Sequence, residues 1–372
     1  MRVKAAVLRR AGMPRPYALS KPLSIENVEL PPPAAGEVLV QIKAASLCHS
    51  DLSVVNGDRV WPLPIVPGHE AAGIVAEVGE GVVDLAPGDH VALIFLTQCG
   101  VCSRCREGKP YLCERGTQAN REGRLITGGP RLRLDGQAVH HHMGLAAFAE
   151  YALVAEKSLV KIPRELPMVE ASLFGCAVMC GAGTALNSLD IRSGDSVAVF
   201  GLGGVGLAAI MGAVLAGATR IYAVDATADK FTLAKGIGAT DCVPADTAVQ
   251  RIRELTGGGV DHAIECTGSV AGFSAALDAT RRGGATCSTS LPHAGQSFSF
   301  PLARLVAEAR SIRGSYIGSC VPGRDIPAYA ELFRQGRLPV DKLVTQRIVL
   351  EDINSAFDAL ADATVVRQVI CF

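Results

Sequence analysis

Residues 196–216 read SVAVFGLGGVGLAAIMGAVLA, which is an apolar run, a glycine-rich turn and an apolar segment of helical length. The turn has the spacing G-x-G-x-x-G over Gly201-Leu202-Gly203-Gly204-Val205-Gly206. Glycines at these positions permit a tight turn and let the backbone approach a pyrophosphate, which then lies at the N-terminus of the helix. The pattern predicts a dinucleotide site. The alternative is a glycine-rich turn that binds no nucleotide.

Asp225 follows the turn at the interval expected for an acid that binds the adenosine ribose. It ends the next apolar run, RIYAVD over residues 220–225. A carboxylate here accepts hydrogen bonds from the ribose 2′-hydroxyl and repels a 2′-phosphate. The sequence therefore favours NAD over NADP.

The chain divides into two regions of different pattern. After residue 193, short apolar runs at 260–266, 285–290 and 311–317 alternate with segments of helical length, which predicts a doubly wound parallel sheet. The first 175 or so residues are rich in Gly and Pro, with short alternating runs that indicate a compact β domain. We expect an α/β fold with domains at 1–177, 178–319 and 320–372, the last segment returning to the first domain.

Composition argues against two classes of partner. Lys plus Arg and Asp plus Glu both number 36 in 372 residues, so the chain lacks the basic excess expected of a protein that binds nucleic acid or a membrane surface. Residues 1–10 contain no long apolar segment typical of a signal peptide, and no uninterrupted apolar run reaches about 18 residues. We expect a cytoplasmic enzyme with no membrane or nucleic-acid partner.

Four of the twelve cysteines are crowded together, at Cys99, Cys102, Cys105 and Cys113. Four thiolates close a tetrahedral shell around zinc and leave no open position, so this spacing predicts a structural zinc lobe at about 97–115. A zinc ribbon for nucleic acid is the alternative, because basic residues lie nearby. Since the whole chain is neutral, those basic residues are interpreted as a solvated face.

A second group of candidate ligands is dispersed along the chain, at Cys48, His69, Glu70 and Cys176. Taken singly, each has an ordinary explanation as a core cysteine or a hydrogen-bonded side chain, and spacing alone does not assemble them. Two thiolates and one imidazole, with the fourth position open, form the ligand set expected of the catalytic zinc in an alcohol-oxidising enzyme.

These residues also carry a family resemblance. The order of Cys48-His49-Ser50-Asp51, Gly68-His69-Glu70, the four-cysteine lobe, Phe174-Gly175-Cys176 and the glycine turn resembles that of zinc-dependent medium-chain alcohol dehydrogenases, over essentially the whole chain. The closest likeness is to the animal and plant branch, which includes glutathione-dependent formaldehyde dehydrogenases. Residues 114–147 resemble an insertion of its dimeric members. The resemblance implies a GroES-like catalytic domain, a Rossmann domain, two zinc ions per chain, NAD and a homodimer.

The resemblance also implies a role for each matching residue. Cys48, His69 and Cys176 would bind the catalytic zinc, while Asp51 would orient His69 by a hydrogen bond and Glu70 would lie behind the metal. Ser50 would accept the proton of the alcohol. The coenzyme would contact His49 and Arg367 at its pyrophosphate and Lys230 at its ribose, and Phe95 would line the substrate pocket.

The chain departs from the family pattern at several positions. Ser53 stands where relatives end the proton relay with a histidine, His49 replaces an arginine, and Cys180 replaces a threonine near the nicotinamide. Arg59 and Thr117 replace an acidic residue and an arginine that bind the glutathione adduct. No role is assigned to the triplet His140-His141-His142, because adjacent histidines cannot all face one ion.

The expected activity is the interconversion of a primary alcohol, aromatic or medium-chain, and its aldehyde. The substrate size is inferred from an apolar pocket suggested by Phe95, Phe148 and Leu291. Two enzymatic alternatives remain, namely an S-(hydroxymethyl)glutathione dehydrogenase and an alcohol dehydrogenase that retains NAD and needs an external acceptor. The non-enzymatic alternative is an NAD-binding stress or structural protein.

Overall fold

The computed structural model describes residues 1–293 and 295–372, and its strands follow the apolar runs of the sequence. In chain order they are β1 (Arg2–Leu8), β2 (Leu23–Glu29), β3 (Glu37–Ser46), β4 (Ile65–Val66), β5 (Ala71–Val78), β6 (His90–Leu93), β7 (Leu132–Leu134), β8 (Gln137–His141), β9 (Tyr151–Ala155), β10 (Leu159–Lys161), β11 (Ser196–Phe200), β12 (Arg220–Asp225), β13 (Asp241–Pro244), β14 (Val260–Glu265), β15 (Thr280–Ser288), β16 (Ser311–Gly314), β17 (Val344–Ile348) and β18 (Arg367–Cys371).

The helices are concentrated after residue 200. They are α1 (Tyr17–Ser20), α2 (His49–Val55), α3 (Ser103–Arg106), α4 (Glu114–Arg121), α5 (Met168–Ala171), α6 (Met179–Gly183), α7 (Gly204–Ala216), α8 (Phe231–Gly236), α9 (Ala248–Thr256), α10 (Val270–Ala279), α11 (Leu302–Ala307), α12 (Pro322–Arg334) and α13 (Ile353–Ala361). Short 3₁₀ turns and two π-helical segments, Phe174–Val178 and Thr184–Ser188, complete the chain.

The chain forms two compact units. The first unit comprises Met1–Cys176, Val321–Arg334 and Val344–Phe372, and the second comprises Ala177–Cys320 and Gln335–Leu343. The sequence predicts that 320–372 returns as one segment to the first domain. In the structure, part of that segment belongs to the second unit, where the 3₁₀ turn Val340–Leu343 packs with α7.

The second unit contains a six-stranded parallel sheet in the order β13-β12-β11-β14-β15-β16, which confirms the predicted doubly wound architecture. The apolar residues of β11 are almost completely buried because helices cover both faces of such a sheet. Strands β12 and β14 flank β11 on opposite sides, so the strand order reverses at β11. In open parallel sheets, ligands bind at the carboxyl ends of the strands at this switch point, where the glycine turn follows β11.

The first unit is rich in β-structure, as predicted. Strands β1, β2, β7, β8 and β4 close a barrel, and a second sheet has the order β10-β6-β5-β3-β18-β17, with β9 also paired to β3. Residues 114–147 supply β7 and β8 to the barrel. The last strand, β18, pairs antiparallel with β3, so the end of the chain lies beside the residues that lead into Cys48.

One helical stretch, Met168–Ser188, is long and apolar enough to cross a membrane by length and composition. It is 21 residues long with a mean hydropathy of 1.5, although Glu170 interrupts it. Since 89% of its apolar window is buried inside the protein, its composition is that of a core helix.

Candidate metal centres and coenzyme loop

Cys48, His69 and Cys176 meet in the first unit from three separate parts of the chain. Cys48 precedes α2, His69 lies in the turn between β4 and β5, and Cys176 belongs to the π-helical segment Phe174–Val178. Gly175 allows that segment to pack tightly on β6, because a Cβ at this position would lie 1.9 Å from the carbonyl oxygen of Leu93. One ligand atom from each side chain, together with Glu70, lies within 4.8 Å of the others, and all four residues are buried.

The geometry of this cluster fits zinc. The Sγ of Cys176 lies 3.5 Å from Nε2 of His69. A tetrahedral zinc with ordinary Zn–S and Zn–N bond lengths requires a separation of about 3.5 Å between these atoms. The pKa of Cys48 is lowered well below its usual value by its contact with Cys176, against the effect of burial, and further by Arg367 and His69. The thiolate form, which binds metal, is therefore favoured.

Asp51 holds the imidazole of His69 in a defined orientation. Its Oδ1 lies 2.9 Å from Nδ1 of His69 and accepts the backbone N–H of Gly68 at 3.0 Å, while Oδ2 accepts the N–H of Cys48 at 3.2 Å. Because a carboxylate only accepts hydrogen bonds, Nδ1 of His69 carries the proton and Nε2 keeps the lone pair needed to bind a metal. Burial raises the pKa of Asp51, but His69 and His142 lower it to a net value below the ordinary one.

His142 belongs to the same cluster, although the sequence analysis gave the histidine triplet no role. Its Nδ1 lies 3.0 Å from Oδ1 of Asp51, and its ring centroid is 5.4 Å from that of His69 and 4.8 Å from the nearer ring of Trp61. For His142 the earlier interpretation was therefore wrong. Asp51 and His142 are 91 residues apart, so no local pattern indicates the contact.

The other two histidines of the triplet have different environments. The Nε2 of His141 accepts the backbone N–H of Arg131 at 3.1 Å, and burial lowers its pKa to about 3, assisted by His140 and Arg131. His140 is half-buried, and its backbone N–H donates to the carbonyl of Pro64. Neither contact involves the metal cluster.

Glu70 and Arg367 form a buried ion pair beside the metal ligands. Oε1 of Glu70 lies 3.2 Å from Nη2 of Arg367 and 3.9 Å from Nε2 of His69. Burial raises the pKa of Glu70 to about 8, against the opposing charge of Arg367. The guanidinium also donates to the carbonyl of Leu47 at 3.3 Å. Contact of Arg367 with a pyrophosphate stays a prediction.

The residues of helix α2 that the resemblance assigns to coenzyme and proton transfer are at its start. His49 is exposed and Ser50 is half-buried, at the first and second positions of the helix. The hydroxyl of Ser53, at the position of the relay histidine, donates to the carbonyl of Ser50 at 2.8 Å. This hydroxyl is therefore bonded to its own helix.

The three residues predicted to line an apolar pocket have different environments. Phe95 is 6% exposed, and its ring packs edge-on to His69 with centroids 5.6 Å apart, which places it beside the metal cluster. Phe148, by contrast, is fully buried against Phe357 in the core of the first unit. Leu291 is 58% exposed and belongs to the second unit. The expectation that Phe148 lines the pocket was wrong, because its side chain fills the core.

The four-cysteine lobe also fits zinc. Its ligand atoms all lie within 4.8 Å of one another, and Sγ of Cys99 is 4.0 Å from Sγ of Cys105. A tetrahedral Zn–S₄ site requires about 3.8 Å between sulfurs. Backbone N–H groups of Cys105 and Glu114 lower the pKa of Cys102 to about 6, which favours its thiolate. A closed set of four thiolates leaves no position for a substrate.

Two basic side chains on the lobe are paired with an acid of the lobe itself. Arg104 contacts Glu107 at 3.0 Å, and Lys109 contacts the same carboxylate at 3.6 Å. These pairs agree with the interpretation of a solvated face.

The glycine turn of the second unit leaves space for a pyrophosphate. Gly201 has φ +91°, and a Cβ at Gly206 would lie 1.8 Å from the carbonyl oxygen of Gly201, so both positions require glycine. A Cβ at Gly203 would meet nothing within 4 Å, which leaves the start of α7 open. Asp225 lies next to the turn, because its Oδ2 accepts the N–H of Leu202 at 2.7 Å. Lys230 is half-buried directly before α8.

Comparison with known proteins agrees with this geometry. Residues 34–164 match the family described as "Alcohol dehydrogenase GroES-like domain", and residues 204–335 match "Zinc-binding dehydrogenase". The chain is 41% identical to an S-(hydroxymethyl)glutathione dehydrogenase of Synechocystis sp. over 95% of this chain and 97% of that protein.

Two solved structures share the fold along the full chain. One is an alcohol dehydrogenase zinc-binding domain protein from Burkholderia ambifaria, with a TM-score of 0.93 and 38% identity. The other is the benzyl alcohol dehydrogenase of Acinetobacter calcoaceticus, with a TM-score of 0.93 and 32% identity. Each comparison covers 100% of this chain and 99% of the other. The chain therefore belongs to the zinc-dependent medium-chain alcohol dehydrogenases, oxidoreductases that use zinc and a nicotinamide dinucleotide.

Proposed function

We propose that this enzyme interconverts a primary alcohol, aromatic or medium-chain, and its aldehyde by hydride transfer to NAD. The observation that carries the proposal is the buried set of Cys48, His69 and Cys176 beside the ring of Phe95. Three protein ligands leave one position of a tetrahedral zinc for the substrate oxygen. An aromatic wall beside that position favours an apolar substrate group.

The chain's own residues have separate tasks in this reaction. Bound zinc supplies Lewis-acid chemistry that lowers the pKa of an alcohol hydroxyl, and NAD supplies the hydride acceptor. Asp51 fixes the tautomer of His69, and Phe95 limits access of water to the reacting carbon. Ser50 accepts the hydroxyl proton while its own hydroxyl hydrogen passes on, so that its oxygen stays neutral. From there the proton leaves through water, since Ser53 donates its hydroxyl hydrogen to the helix backbone.

Two zinc ions and NAD are the proposed cofactors. The lobe of Cys99, Cys102, Cys105 and Cys113 binds the structural zinc, because its ligand shell is closed. Asp225 selects NAD by accepting hydrogen bonds from the ribose hydroxyls and repelling a 2′-phosphate. His49, Lys230 and Arg367 are proposed to contact the coenzyme.

The second candidate is oxidation of S-(hydroxymethyl)glutathione, which the name of the Synechocystis relative favours. Two positions weigh against it. The hydroxyl of Thr117, where the glutathione branch carries an arginine, donates to the carbonyl of Cys113 at 2.8 Å. Arg59 stands where that branch carries an acidic residue. The side chains at these positions therefore lack the charges expected to bind the tripeptide.

NADH formation at fixed enzyme concentration tests the two candidates. The substrates are ethanol, hexanol, benzyl alcohol and S-(hydroxymethyl)glutathione. We expect kcat/KM to be highest for hexanol or benzyl alcohol and at least tenfold lower for the glutathione adduct. The reverse order would replace the first candidate by the second. Absence of turnover on all four, in protein that contains two zinc ions, would point to retained NAD and an external acceptor.

We also propose a homodimer assembled through the edge of the second unit's sheet. Strand β16 is an edge strand, paired on one side with β15. Large apolar side chains are exposed on it and on the preceding helix, with Ile312 at 42%, Leu302 at 72% and Val306 at 74%. An exposed edge with apolar neighbours is suited to pairing with a second copy.

A reducing compartment, the cytoplasm, is the proposed location. All twelve cysteines are described, and none of them is joined in a disulfide bond. Six of them are candidate zinc ligands, whose binding to metal requires reduced sulfur.

A further inference from the structure

Two histidines share one carboxylate oxygen beside the catalytic ligands. Oδ1 of Asp51 lies 2.9 Å from Nδ1 of His69 and 3.0 Å from Nδ1 of His142. All three side chains are at most 1% exposed. The backbone N–H of Gly68 is the third donor to the same oxygen, at 3.0 Å.

Hydrogen-bond chemistry determines the direction of each contact. The carboxylate accepts and cannot donate, so both imidazoles carry a proton on Nδ1. Oδ1 of Asp51 therefore accepts hydrogen bonds from two imidazole N–H groups and from one backbone N–H group. Loss of one donor would leave the buried carboxylate of Asp51 with an unpaired acceptor site. Because an unpaired buried acceptor costs free energy, the carboxylate would rotate.

Aromatic packing also holds His142 in place. The rings of Trp61 and His69 meet it edge-on, with centroid distances of 4.8 and 5.4 Å and interplanar angles of 82° and 85°. His142 follows directly after β8, which is a barrel strand. A rigid element therefore positions the donor, and the donor positions Asp51.

We propose that His142 is a positioning residue of the catalytic metal centre, which fixes the Asp51 carboxylate and, through it, the angle at which His69 presents Nε2 to the metal. The inference rests on the proposed catalytic zinc. Partners that orient a metal-binding histidine commonly change metal affinity by about 10–100-fold when they are removed.

A third metal, held by Asp51, His69 and His142, is the competing interpretation of the same cluster. Separations of 2.9 and 3.0 Å between the carboxylate oxygen and the two ring nitrogens are those of direct hydrogen bonds. In addition, Nδ1 of His69 carries a proton and has no lone pair for a metal. The geometry therefore favours a hydrogen-bonded triad.

The test compares zinc release from the holoenzyme and two variants. His142→Phe keeps the aromatic packing and removes the donor, while His142→Asn shortens the side chain but restores an N–H donor. His140→Gln is the matched control, because it alters a histidine of the same triplet whose described contacts lie outside the metal cluster. Release of each zinc into a chelator is followed, and Cys48→Ala, which retains only the lobe zinc, identifies the two phases.

The lobe zinc serves as an internal reference. We expect His142→Phe to release the catalytic zinc at least tenfold faster and the lobe zinc at the wild-type rate, with a smaller effect for His142→Asn and none for His140→Gln. Cobalt placed at the catalytic site should show shifted ligand-field bands in His142→Phe, because the angle of His69 changes.

Four results would overturn the inference. Unchanged or slower release with an unchanged cobalt spectrum would show that Asp51 needs no second imidazole. Equal acceleration of both zinc phases would indicate a general loosening of the fold. Three bound metals in the wild type, falling to two in His142→Phe, would establish the competing site. A wild type with only the lobe zinc would reject the proposed function as well, which distinguishes the two failures.

Discussion

The charge of Asp225 provides a direct test of coenzyme choice. Asp225→Asn keeps a polar side chain of the same size beside the N–H of Leu202 but removes the negative charge. We expect the ratio of kcat/KM for NAD to that for NADP to fall by about 10–100-fold, the value of one hydrogen bond to a charged group. Asp229→Asn, an exposed carboxylate in the same loop, is the control. An unchanged ratio in Asp225→Asn would show that this acid does not discriminate between the coenzymes.

His141 should make stability depend on pH. Its pKa is about 3 in the folded chain, because it is buried, and 6.5 when unfolded. Between these pH values the unfolded chain binds a proton at His141 that the native chain does not. The contribution of neutral His141 to the free energy of unfolding is therefore present above pH 6.5 and is lost as the pH falls toward 3. Between pH 7 and pH 5 we expect wild type to lose about 2 kcal/mol more unfolding free energy than His141→Gln. Urea unfolding at both values measures the difference, and parallel losses in the two proteins would contradict it.

The zinc ligands of the four-cysteine lobe and those of the catalytic cluster can be removed separately by substitution. Cys102→Ala should lose one zinc and lower Tm by about 5 °C or more, since a structural zinc contributes folding free energy. Cys48→Ala should lose the other zinc and all detectable turnover while retaining the fold. Metal analysis, thermal unfolding and NADH formation are measured on both, with Cys242→Ala as the control for removal of a half-buried thiol. Turnover in Cys48→Ala would contradict the assignment of the catalytic zinc.

The proposed homodimer concerns the whole molecule. Ile312→Lys places a charge on the edge strand β16, so we expect the variant to sediment as a monomer at concentrations where wild type sediments as a dimer. Val83→Lys, at an 82% exposed position of the first unit, should leave the assembly unchanged. A dimer that persists in Ile312→Lys would place the interface elsewhere.

Elements whose residues are close in sequence were predictable. The lobe of Cys99–Cys113 and the turn of Gly201–Gly206 each depend on spacing within 15 residues, and the parallel sheet follows from repeated apolar runs. Cys48, His69 and Cys176 were identified through the family resemblance, because no local spacing joins them.

Contacts made by the tertiary fold were not predictable. His142 reaches Asp51 across 91 residues, and it does so because β8 closes the barrel. Phe148 has the same apolar character as Phe95, and the sequence does not distinguish a core position from a position beside the metal. The Glu70–Arg367 pair depends on β18 adding to β3, which is a property of the complete first unit.

The Glu70–Arg367 pair joins parts of the site that become available at different stages of synthesis. Arg367 lies on β18. Strand β3 leads to Cys48 and is synthesised more than 300 residues earlier. The candidate zinc ligands and Glu70 are therefore synthesised before the cation that pairs with Glu70. A chain without β18 would have every candidate zinc ligand but would lack the positive charge that balances Glu70.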